Sequence, residues 1–76
     1  MNDPDVKHEL CDAIRALSHS APAMRVGQLL AAVGEVCGDL HGRGLWDAED
    51  RELLEAVWKF QRDVESSLPA EVQRNA

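Results

Sequence analysis

Two cysteine–histidine pairs are the residues of this sequence best suited to chemistry. His8 and Cys11 stand three apart and Cys37 and His41 four apart, so on a helix each pair shares one side of a turn. Together they would supply the two thiolates and two imidazoles of a tetrahedral zinc site. Register argues against that site. In a hairpin turning near Ser20, Cys11 lies opposite about Leu30, some seven residues from Cys37. At a rise of 1.5 Å per residue the offset is about 10 Å, which also exceeds the roughly 7 Å limit on Cα separation in a disulfide. Two free thiols are therefore expected, Cys37 as a small buried hydrophobe and Cys11 at a helix edge, with no metal and no other cofactor.

Covalent catalysis needs a nucleophile, a base and an orienting group that converge on a pocket. Cys11 with His8 is the nearest candidate, but both point away from the apolar face of Val6, Leu10 and Leu17. A chain of 76 residues also offers little room for a cavity, so no enzyme is expected. The acidic cluster Asp47, Glu49, Asp50 and Glu52 lacks the spacing and central glycine of a calcium loop, and complements a helix dipole instead. Arg51, Glu55, Lys59 and Asp63 alternate in sign at four-residue steps, the pattern of a solvated helix face.

Such side chains need elements to hold them, and the chain is short. Seventy-six residues make one small domain that buries only about 60 to 65% of its unfolded surface. Fourteen acidic against eight basic residues give a net charge of −6, which repels phosphate backbones and anionic lipid. Neither nucleic acid nor membrane is an expected partner. Two cysteines are too few for a disulfide scaffold, and no apolar run resembles a signal peptide or reaches about 18 residues. A cytoplasmic protein is expected.

The apolar spacing is helical throughout. Asp3-Pro4 supplies a cap and a first-turn proline, and Val6, Leu10, Ala13, Ile14 and Leu17 follow, which predicts a helix over about 4–18. Pro22 can open a second helix, in which Val26, Leu29, Leu30, Val33, Val36, Cys37 and Leu40 recur to about residue 40. His41-Gly42-Arg43-Gly44 breaks it. Asp47 then caps a third helix over about 47–66, carrying Leu53, Leu54, Val57, Phe60, Gln61 and Val64. Leu68-Pro69 interrupts that helix and leaves 69–76 as a tail or one further turn, so the domain is expected over 1–68. The fold class is all-α, a small antiparallel three-helix bundle.

The second helix has a further face. At 100° per residue, Gly27, Ala31, Gly34 and Gly38 fall on one stripe beside the large apolar residues. Glycines in a helix interior cost about 1 kcal/mol each relative to alanine, and a stripe of small residues lets another backbone approach closely. Either the first or third helix of the same chain lies there, or a second protomer does. In both cases an alanine at Gly27 or Gly34 is expected to overpack the contact, at about 1 to 3 kcal/mol.

The stretches PAMRVGQLL (Pro22–Leu30) and DAEDRELL (Asp47–Leu54) resemble a group of small uncharacterised bacterial helical proteins that share P-x-x-R-x-G-Q-L-L and a later acidic helix start. The resemblance covers under half the chain, implies the helix boundaries and singles out Arg25, Gly27 and Gln28. It implies no activity.

Arg25 stands at a helix start, where the dipole disfavours a cation. It is expected to pair with Asp63 or Glu65 across the bundle, or with a ligand or partner carboxylate. Trp58 lies at the rim of the third helix's apolar face, a second candidate contact. Trp46 is placed to fold back over the start of that helix. The expected function is a non-enzymatic helical interaction module, a homo-oligomer or the partner of another protein, whose contact residues are Arg25, Gly27, Gln28, Ala31, Gly34 and Trp58. The alternative is an acidic regulator or inhibitor that docks a basic protein through the start of the third helix.

Overall fold

Proline at the first position of a helix gives up an N–H that would be unbonded there anyway, and Pro4 begins the first helix for that reason. In the computed structural model the backbone of residues 4–75 and the side chains of residues 4–66 are described, and the expected cap Asp3 lies outside them. They form α1 (Pro4–Ser20), α2 (Val26–His41) and α3 (Asp50–Asn75), with no strand among the described residues. The all-α three-helix architecture expected from the spacing is the one observed.

The start of α1 and the end of α2 fall where expected, and the other boundaries differ. α1 runs on to Ser20, and Ser18 and Ser20 turn their hydroxyls onto the carbonyls of Arg15 (2.9 Å) and Ala16 (3.3 Å). Those bonds keep polar side chains inside the last turn. Pro22 does not open α2. It stands second in a turn closed by the Met24 N–H on the Ala21 carbonyl (3.1 Å), a position that proline's fixed φ favours. α2 therefore begins at Val26, four residues later than Pro22.

Gly42 ends α2 in the left-handed conformation, with a φ of 74°, and its N–H reaches the Gly38 carbonyl at 2.9 Å. The Asp47 and Ala48 N–H groups both turn back to the Gly44 carbonyl, at 3.2 and 2.9 Å. Asp47 is thus in a turn and does not cap α3. Glu49 holds that place: its carbonyl receives the Leu53 N–H (3.0 Å) and its N–H donates to Glu52 Oε1 (2.9 Å). α3 also continues through Pro69 to Asn75, past the end expected near residue 66. A proline removes one rung of the ladder, and its φ remains helical.

Leu10, Leu17 and Ala21 meet Leu29, Val33 and Cys37 of α2 and Leu54, Ala56 and Val57 of α3 in one core, with no buried polar residue among those described. α1 and α2 each pack chiefly on α3 and scarcely on each other. α3 is thus the spine of the bundle. Its Leu54–Val57 and Leu53–Ala56–Phe60 positions fall on two adjoining faces, which lets it serve both neighbours. The ends of α2 outrun this core: Val26 is 62% exposed and Leu40 44%.

Candidate interaction surface

Because α2 turns Leu29, Val33 and Cys37 toward α3, its small-residue stripe is left to one side. A Cβ added at Gly27 or Gly38 would meet nothing within 4 Å. At Gly34 it would stand 3.0 Å from Leu45 Cγ and 3.5 and 3.8 Å from the two Cδ atoms. Neither α1 nor α3 occupies the stripe, which removes the first of the two alternatives for it. Both helices meet elsewhere, and a side chain of the α2–α3 loop covers only the middle of the stripe. Ala31 is exposed. Beside Leu45, Trp46 is 96% exposed, so it does not fold back over α3.

Overpacking is the expectation for at least one of Gly27 and Gly34, and at Gly27 the open space reverses it within the folded monomer. Gly27→Ala and Gly38→Ala are expected to raise stability by up to about 1 kcal/mol. Gly34→Ala is expected to gain less than Gly38→Ala, because Leu45 must give way by a few tenths of an ångström. Urea melts at a concentration low enough to keep the chain monomeric measure all three. A stability loss at Gly38 would contradict the open face.

The Arg25 and Gln28 positions prove to be a helix cap. Gln28 Oε1 accepts the Arg25 backbone N–H at 2.8 Å, and the Arg25 carbonyl receives the Leu29 N–H at 2.9 Å. This is the returning half of a capping box, with arginine where serine or threonine would complete it. The expected ion pair of Arg25 with Asp63 or Glu65 does not form, and the Arg25 side chain is exposed: Lys59 Nζ reaches Asp63 (3.3 and 3.5 Å) and Gln61 Nε2 reaches Glu65 (3.1 Å). Those partners lie four residues away on α3 itself and need no register between helices. Gln61 Nε2 also meets Ser20 Oγ at 3.4 Å, which ties the end of α1 to the middle of α3.

A polar cluster holds the loop that carries Leu45 and Trp46. Arg43 Nη2 donates to Glu52 Oε2 at 2.9 Å while Glu52 Oε1 takes the Glu49 N–H. His41 Nδ1 stands 3.9 Å from Glu52 Oε2, and its Nε2 lies 2.9 Å from Glu55 Oε1. That second approach lacks the alignment of a hydrogen bond, and the buried His41 Nε2 has no hydrogen-bond partner among the described residues. The Glu49 N–H, and next the Arg43 side chain, hold the Glu52 carboxyl below the usual glutamate range. Burial, and next the Glu52 charge, push the Cys37 thiol up. Cys37 is thereby kept protonated, which suits a core residue and not a nucleophile or metal ligand.

Neither Arg43 nor Glu52 was singled out by the sequence as a pair, since they stand nine apart across a glycine-rich loop. The Glu at the third position after Glu49 was a legible signal of the cap. Glu52, with its pKa lowered on folding, stabilises the fold fully above the ordinary glutamate pKa of about 4.3. That contribution is lost as pH falls through the lower folded value. Melting temperature is therefore expected to fall less steeply with acid in Glu52→Gln than in the parent, and to start lower at neutral pH. Parallel curves would contradict the Glu52 linkage.

Cys11 is exposed, Cys37 is buried and both thiols are free. Among the described residues no three His, Cys, Asp or Glu side chains group as a metal would require, and no helix is long and apolar enough to cross a membrane. Trp58, 45% exposed next to fully buried Val57, stands at the rim where its spacing placed it. The chain matches no family model, no curated protein and no solved structure.

Proposed function

We propose that the chain is a non-enzymatic interaction module that pairs with a second copy of itself through the outer face of α2. The observation that carries the reading is Trp46, almost wholly in water beside Leu45 and next to a helix face with free space over Gly27 and Gly38. Tryptophan is the side chain most enriched at interface hot spots, and small residues let a second helix come close. The stripe also suits a copy of itself. Gly27, Ala31, Gly34 and Gly38 are spaced by four, three and four residues, a pattern identical in both directions. A two-fold axis between Ala31 and Gly34 sets Gly27 of one copy over Gly38 of the other, as a self-complementary contact requires. The Leu45 side chains over Gly34 form the middle of the contact, and the open ends of the stripe flank them. Trp58 flanks the core on α3 as a secondary contact.

Docking of a basic protein on the acidic start of α3 is less well supported, because the Glu52 carboxylate is already engaged by Arg43. Solution mass across a concentration series separates the two. The apolar pairing predicts a mass that rises from monomer toward dimer and persists at high salt. Trp46→Ser is expected to weaken that association while shifting monomer stability by less than about 0.5 kcal/mol. A monomer at every concentration contradicts the proposal.

A further inference from the structure

We draw no further inference here: the strongest candidate, the His41–Arg43–Glu52–Glu55 side-chain cluster over buried Cys37 at the α2–α3 loop, spends its charges on one another in closing that loop, and nothing there points to a ligand.

Discussion

Leu17→Ala is expected to remove about 2 to 5 kcal/mol of stability. Leu17 is fully buried near the end of α1, and its carbonyl receives the Ala21 N–H at 3.1 Å, so the backbone around it is held as the helix gives way to the turn. A held backbone limits collapse of the cavity, which places the loss toward the upper part of that range. Domains carry about 0.05 to 0.15 kcal/mol per residue, so a chain of 76 residues has little to spare. The variant should melt early in urea, with the parent's dependence on denaturant if the transition stays two-state. Val26→Ala, at a position 62% exposed, is the matched control and should change little. A Leu17→Ala loss below about 1 kcal/mol would mean that the centre of the core lies elsewhere.

Ala56→Leu is expected to destabilise the protein by about 1 to 3 kcal/mol, although it adds apolar surface. Ala56 is fully buried on the spine helix, within the same core as Leu17, Val33 and Val57. Its small side chain sets how closely a neighbouring helix can approach α3. Leucine there must push that neighbour away or adopt a strained rotamer, and a close-packed interior allows neither cheaply. Thermal melts of the variant should fall below the parent. A higher melting temperature would reveal unfilled space beside α3 that the fully buried Ala56 does not suggest.

These two positions show how far the sequence reaches. Leu17 was legible as core because it recurs at helical spacing with Val6, Leu10 and Ile14, and Leu29, Val33 and Cys37 were legible in the same way. Ala56 was not, since alanine is compatible with any face. Pro4 marked a helix start correctly. Pro22 did not, because the same fixed φ serves both a turn and a first helical turn. Asp47 reads as the cap of the third helix because its type suits one, but the turn closed on the Gly44 carbonyl takes it up and leaves Glu49 in that place.

The stripe illustrates the deeper limit. Periodicity correctly grouped Gly27, Ala31, Gly34 and Gly38 on a side of α2, but it says nothing of what stands opposite. That depends on where the loop goes after the left-handed Gly42, and the loop brings Leu45 over Gly34 and sends Trp46 into water. The same route brings Arg43 to Glu52. Contacts made by a glycine-rich loop follow from backbone angles that composition does not encode.

Sedimentation equilibrium of the parent beside Ala31→Glu tests the proposed pairing most directly. Ala31 is exposed on α2, next to the proposed two-fold axis, so a glutamate there is tolerated by the monomer. In the paired state it would set two like charges close together in a desolvated contact. The account predicts a parent whose mass climbs to that of a dimer with concentration, and a variant that stays monomeric with an unchanged helical circular dichroism spectrum. A parent that remains monomeric, or a variant that pairs as tightly as the parent, would contradict it.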